Sequence, residues 1–230
     1  MKIICSALLI ITTILTDNMN NQHSDARAAA LTYLALGDSY TIGEAVPTEQ
    51  SFPYLLTQQL NKGKHQVNDP AIIATTGWTT DELIEAVSKS EAVHKKFDLV
   101  TLLIGVNDQY RGLSQENYKI KFKQVLNTAI NFAGGNKSHV FVLSIPDYGV
   151  TPFGKENENK TGAEIDQFNA INKLISNAAA VNYLDITGIS RQAKNDPELI
   201  AADGLHPSGK MYGEWVKLLE SMVAAKLGTH

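Results

Sequence analysis

The segment from Leu34 to Gly43, LALGDSYTIG, sets an apolar run directly against Gly37, Asp38 and Ser39, with a second glycine four residues on. A serine at a tight strand-to-helix turn projects its hydroxyl out of the sheet, and a preceding glycine lets the backbone bend there. A neutral serine reacts poorly until a base takes its proton, and histidine suits that task near neutral pH. Of the six histidines, His23 and His230 lie in the termini, His65 in a polar loop, His94 in a helix or its tail, and His139 at the start of a strand. His206 alone has a carboxylate at tight spacing, Asp203, and a following proline, Pro207, that fixes the turn. Asp203 can receive the proton of one imidazole nitrogen while the other nitrogen faces the serine, which sets the tautomer and stabilises an imidazolium. Acyl transfer further needs donors for a developing oxyanion. Three are available: the backbone N–H of Ser39, the backbone N–H of Gly77 and the side-chain amide of Asn107. The chemistry this set predicts is acyl transfer through a covalent acyl-enzyme, with neither metal nor organic cofactor.

Each of these residues also has a plainer reading. Ser39 could cap a helix. Asn107 and Asp108 could serve only as turn formers, and that is the reading adopted for Asp108. Gly77 could be required for backbone freedom alone. Asp203 and His206 could ligate a metal, but no third Cys, His or acidic cluster accompanies them. Asp38 is read as an anchor of the turn rather than a reacting group. Tyr110 and Arg111 could touch substrate or be an exposed aromatic and a solvated charge, and they are not counted among the site residues.

Chemistry of this kind needs a scaffold that brings four distant segments together. From Leu31 onward, strand and helix patterns alternate. LTYLAL, AIIAT, FDLVTLLIG, HVFVLSIP and VNYLDI read as five strands, of which FDLVTLLIG is the most continuously apolar and is assigned to the sheet centre. FPYLLTQQL, TTDELIEAV, ENYKIKFKQVLNTAINF and IDQFNAINKLISNAA read as helices, and Thr79 with Glu82 has capping-box spacing. Met211, Trp215, Leu218 and Met222 stripe a last helix and are assigned to the core. Such alternation calls for a parallel sheet covered on both faces by helices, a three-layer α/β/α sandwich with a five-stranded sheet. In open sheets of this class ligands collect at the carboxyl ends of the strands, which is where Ser39, Gly77 and Asn107 fall. The longest connection, about 146–162, is expected to reach over the substrate site.

GDSY near the start of the domain, the glycine after the second strand, GVND after the third and DGLHP near the end resemble the four sequence blocks of the SGNH hydrolases, also called the GDSL esterase/lipase family. The resemblance covers Leu31 to Leu227 and keeps block order and spacing. It implies the flavodoxin-like fold of that family, Ser39 as nucleophile, Gly77 and Asn107 in the oxyanion hole, and His206 with Asp203 completing a triad. The fourth letter of the first block is Tyr40 where the family usually has Leu, which bears on the local pocket shape. Family members accept short acyl esters, lysophospholipids, thioesters and acetylated sugars, so the resemblance implies a small ester substrate. A catalytically silent carbohydrate-binding or scaffold protein on the same fold is the alternative.

At 230 residues with 43% apolar and 19% charged, the chain has the composition of one globular domain. Twenty basic against 24 acidic residues, with no basic patch interleaved with aromatics, argues against a nucleic-acid partner. The one cysteine, Cys5, allows no internal disulfide. Residues 1–30 are read as a secretory signal or disordered segment preceding a domain at 31–230, because the uncharged run from Ile3 to Leu15 is too short to span a bilayer. A periplasmic or secreted monomer, with no integral span in the mature protein, is the expectation. Translation from Met19 would instead give a cytoplasmic enzyme.

Overall fold

A computed structural model describes residues 29–227; all but the last two residues of the expected signal segment at 1–30, with Cys5 and Met19, lie outside the described residues. Five strands, β1 (Tyr33–Gly37), β2 (Ala71–Ala74), β3 (Leu99–Leu103), β4 (Val140–Leu143) and β5 (Asn182–Leu184), pair in parallel in the order β2-β1-β3-β4-β5. FDLVTLLIG supplies β3, the middle strand. Every residue of β1, β3 and β4 is buried, whereas the edge strands β2 and β5 are half-exposed. That division explains the continuous apolar runs, since an inner parallel strand is covered on both faces. Thr101 is the polar exception in β3, and its hydroxyl is satisfied by Tyr33 Oη at 2.8 Å.

Eight α-helices surround the sheet among the described residues: α1 (Ser39–Ile42), α2 (Phe52–Lys62), α3 (Thr80–Lys89), α4 (Val106–Tyr110), α5 (Gln115–Phe132), α6 (Glu158–Ala179), α7 (Thr187–Ser190) and α8 (Gly209–Leu227). α2 packs on α8, while α3, α5 and α6 pack side by side. Thr79 and Glu82 form the capping box at the start of α3. The C-terminal stripe is shifted from its sequence assignment. Met211, Tyr212, Trp215, Val216, Leu219 and Val223 are buried on α8, but Leu218 is 46% exposed, at the margin of the buried face, which is centred towards Tyr212, Leu219 and Val223. α6 begins at Glu158, about two turns before its apolar periodicity starts at Ile165, so the connection after β4 is shorter than expected.

The strand order puts β1 between a neighbour on one side reached by the first crossover and a neighbour on the other reached by the second. The carboxyl ends of β1 and β3 therefore border the crevice where the winding direction reverses. α1 and α4 start at those two ends.

Candidate active site

The turn after β1 is fixed by two close approaches. Gly37 has no room for a side chain: a Cβ there would lie 2.1 Å from Thr41 Oγ1 and 2.3 Å from the Leu103 carbonyl oxygen. Its φ is not positive, so the glycine answers to steric room rather than to a special bend. Asp38, not Ser39, is the N-cap of α1, its Oδ1 accepting from Tyr40 N–H at 3.0 Å. The capping reading of Ser39 is thereby taken by its neighbour. Ser39 is the first helical residue, and its side chain faces a cleft of about 150 Å³.

Asp38 is fully buried and its Oδ2 has no hydrogen-bond partner. Burial pushes its carboxyl up to about 8, the bond from Tyr40 opposes this, and the nearby Asp108 adds to it. Asp108 accepts from Thr80 N–H at 2.9 Å and Thr80 Oγ1 at 3.0 Å, which ties the α4 turn to the start of α3. Its carboxyl is also raised, burial outweighing the two Thr80 bonds. It is thus more than a turn former.

Gly77 sits in a reverse turn closed by Trp78 N–H to the Thr75 carbonyl at 3.2 Å, with φ +82° at the third position. A type II turn requires that conformation, and glycine supplies it without strain. Asn107, second residue of α4, donates Nδ2 to the Trp78 carbonyl at 2.9 Å, leaving its other amide hydrogen free for the cleft it lines. Among the described residues, neither the Ser39 N–H nor the Gly77 N–H finds an acceptor in the protein. All three donors belong to residues that line one cleft, Ser39 at a buried turn and Gly77 and Asn107 at partly exposed positions, where an acceptor from outside the protein can reach them.

The loop after α7 supplies the remaining groups. An antiparallel bridge between Ile200 and Pro207 and a bond from Ala201 N–H to the His206 carbonyl at 2.8 Å cinch residues 201–206 into a tight loop. Inside it, Asp203 Oδ1 accepts from the N–H groups of Leu205 and His206, both at 3.0 Å, and Oδ2 meets His206 Nδ1 at 2.6 Å. Desolvation opposes ionisation of Asp203, but the bonds from the His206 ring and the two N–H groups outweigh it and hold the carboxyl below its usual range. His206 is 7% exposed and lines the same cleft as Ser39, Gly77 and Asn107. Its ring packs at 5.3 Å from that of Tyr40, so the residue that departs from the family pattern forms a wall behind the imidazole. Among the described residues no hydrogen bond joins the Ser39 hydroxyl directly to the His206 ring. Such bonds are often long without substrate and tighten when the reacting complex forms.

Residues 35–213 match the GDSL-like lipase/acylhydrolase family. The chain belongs to that family. No curated protein matches it at the sequence level. Among solved structures, a lipase/acylhydrolase from Enterococcus faecalis is 21% identical, with a TM-score of 0.66 over 87% of this chain and 98% of that one. A lipase from a goat rumen metagenome is 20% identical, with a TM-score of 0.64 over 86% and 100%. An acetyl xylan esterase variant from Geobacillus stearothermophilus is 17% identical, with a TM-score of 0.63 over 88% and 96%. At these identities the likeness shows the shared GDSL hydrolase fold.

Two site features were missed in the sequence. Tyr110, Tyr148 and Phe153 line the cleft as a cluster with ring centroids 6.1–6.3 Å apart, Tyr148 and Phe153 coming from the connection after β4. Tyr110 falls one helical turn after Asn107, so i, i+3 spacing on α4 was the available signal. Arg111 is half-exposed but also bonded: its Nη2 donates to the Gly77 carbonyl at 2.5 Å and its Nη1 to Glu82 Oε1 at 3.2 Å. Nothing local in the sequence announces that contact. No helix among the described residues is long and apolar enough to cross a membrane, and no cluster of three metal-ligating side chains occurs among them.

Proposed function

We propose that this protein is a serine-dependent carboxylic ester hydrolase that works through an acyl-enzyme on a small, uncharged acyl ester. The observation that carries the reading is one cleft shared by the Ser39 side chain, an imidazole whose Nδ1 is engaged by Asp203 at 2.6 Å, and three N–H groups with a hydrogen free.

In this mechanism Asp203 holds His206 in the tautomer that leaves Nε2 as the proton acceptor. His206 takes the Ser39 proton as the hydroxyl oxygen bonds to the ester carbonyl carbon. The electron pair of the carbonyl moves onto its oxygen, where the N–H groups of Ser39 and Gly77 and the amide of Asn107 receive it. Collapse of the adduct expels the alkoxide, which takes the proton from His206. Water repeats the sequence on the acyl-enzyme, releasing the acid and restoring Ser39. Asp38 has no part in proton transfer, because it is buried behind the turn and does not line the cleft.

A cleft of about 150 Å³ is the size of a cavity that holds a benzene-sized group, which favours short acyl chains. Its lining carries no carboxylate, lysine or arginine, which favours an uncharged substrate. The test is hydrolysis of a chromogenic short-chain acetate, followed by an acyl chain-length series beside acetylated xylan and a lysophospholipid. Turnover that vanishes in Ser39→Ala is the expected result. No turnover of any ester or thioester, with tight sugar binding, would replace the enzyme by a binding protein.

A further inference from the structure

We propose that Arg111 is a positioning residue of the oxyanion pocket, holding the Gly77 turn and the Asn107 helix as one rigid unit through its grip on the Gly77 carbonyl. The inference rests on the serine-hydrolase reading above and names a residue which that mechanism does not require to touch substrate.

Two donors of the proposed pocket come from different elements, Gly77 from the loop after β2 and Asn107 from α4. Their separation matters, because an oxyanion must sit within hydrogen-bond range of both at once. α4 grips that loop at consecutive carbonyls. Asn107 Nδ2 reaches Trp78 O at 2.9 Å from its first turn, and Arg111 Nη2 reaches Gly77 O at 2.5 Å from its C-cap. Glycine is the residue about which a peptide plane turns most freely, so the Gly77 carbonyl needs an outside anchor if the N–H on the other side of its Cα is to point one way. The guanidinium is anchored in turn. Its Nη1 bonds Glu82 Oε1 at 3.2 Å, while Glu82 Oε2 is held by Thr79 N–H at 2.7 Å in the capping box of α3. The planar fork spans carbonyl and carboxylate together, which the single ammonium of lysine does not reproduce.

Stability does not account for this arrangement. The Arg111 and Glu82 side chains are 45% and 41% exposed, and an ion pair that open adds little to folding. The effect should therefore fall on transition-state geometry rather than on substrate affinity or thermal stability.

The experiment measures kcat and KM for a chromogenic acetate, inhibition by phenylboronic acid and the thermal midpoint in wild type, Arg111→Met, Arg111→Lys and Glu82→Ala. Phenylboronic acid bonds to the serine oxygen as a tetrahedral adduct and so reports the oxyanion pocket. Arg111→Met should lower kcat roughly tenfold to a hundredfold, the scale of a small misplacement at a reacting centre. KM should stay within about twofold and inhibition should weaken in proportion to kcat, as expected for an interaction felt mainly in the transition state. Arg111→Lys should recover part of the loss, and Glu82→Ala should give a smaller drop of the same kind should Arg111→Met not fold. A folded Arg111→Met that keeps wild-type kcat, or one whose loss is in KM alone, overturns the inference while leaving the hydrolase reading intact. A wild type without Ser39-dependent turnover overturns the hydrolase reading, and this inference with it.

Discussion

The turn that carries Ser39 and the loop that carries His206 meet at one cleft but are held in opposite ways. The turn grows directly from the central sheet: Gly37 leaves no space for a methyl group, and Asp38 is 0% exposed with a carboxyl oxygen that no donor satisfies. The loop begins 17 residues beyond the end of β5 and has little regular structure, with His206 itself 22 residues beyond that strand. Its Asp203 side chain is 32% exposed, yet both carboxylate oxygens are bonded. Two aspartates beside two proposed catalytic residues are thus displaced in opposite directions, Asp38 upward by burial and Asp203 downward by hydrogen bonds that outweigh desolvation. The difference teaches that the proposed nucleophile is placed by packing at a cost in stability, while the proposed base, though its ring is buried against Tyr40, is oriented by a local polar network.

The sharpest way to break this comparison is to remove the base. His206→Ala should cost about 10⁶ in kcat, the scale seen when one member of such a set is lost. Asp203→Asn should cost about 10⁴, through loss of the correct imidazole tautomer, with the fold retained. Both are read by steady-state hydrolysis of a chromogenic acetate, and a loss under tenfold in His206→Ala would remove the loop from the mechanism.

On the turn side the effects should be on folding. Gly37→Ala forces a methyl group into Thr41 and the β3 backbone and should destabilise by at least about 2 kcal/mol in urea unfolding. Asp38→Asn sharpens the contrast through pH. The unfolded carboxyl titrates near 4 and the folded one near 8, so the native state binds the extra proton between those values and stability falls as pH rises across that window. Asp38→Asn should flatten the fall, measured as unfolding free energy at pH 5, 6, 7 and 8; an unchanged slope would mean that burial does not control this carboxyl. The smallest effect belongs to the ion pairs flanking the loop. Lys210 bonds Asp196 at 2.8 Å and Glu198 at 2.7 Å but is 44% exposed, and Lys210→Met should change stability by under about 1 kcal/mol and leave activity unaltered.

Much of this was legible before any coordinates. Strands buried on both faces write themselves as unbroken apolar runs, so β1, β3 and β4 were readable and β3 could be put at the centre. Thr79 and Glu82 announced the start of α3 because a capping box is a local motif. Leu218 was misplaced because a stripe of apolar residues does not say which side of a helix meets the sheet. The short helices α1, α4 and α7 left no periodicity to read, and the polar first turns of α6 hid its start.

By itself the sequence determined the alternation of elements, the places where strands end, and which residue types at those ends are competent for acyl transfer, because these follow from local periodicity and from chemistry that few side chains possess. It also placed Asp203 and His206 together, since three residues of chain enforce proximity. Tertiary structure alone decided that Asp38 is buried without a full set of partners, that Tyr148 and Phe153 reach the cleft, and that Arg111 closes on Gly77 across 34 residues. Contacts of that kind depend on how two distant backbones are brought side by side by the sheet, and no spacing along the chain encodes that distance.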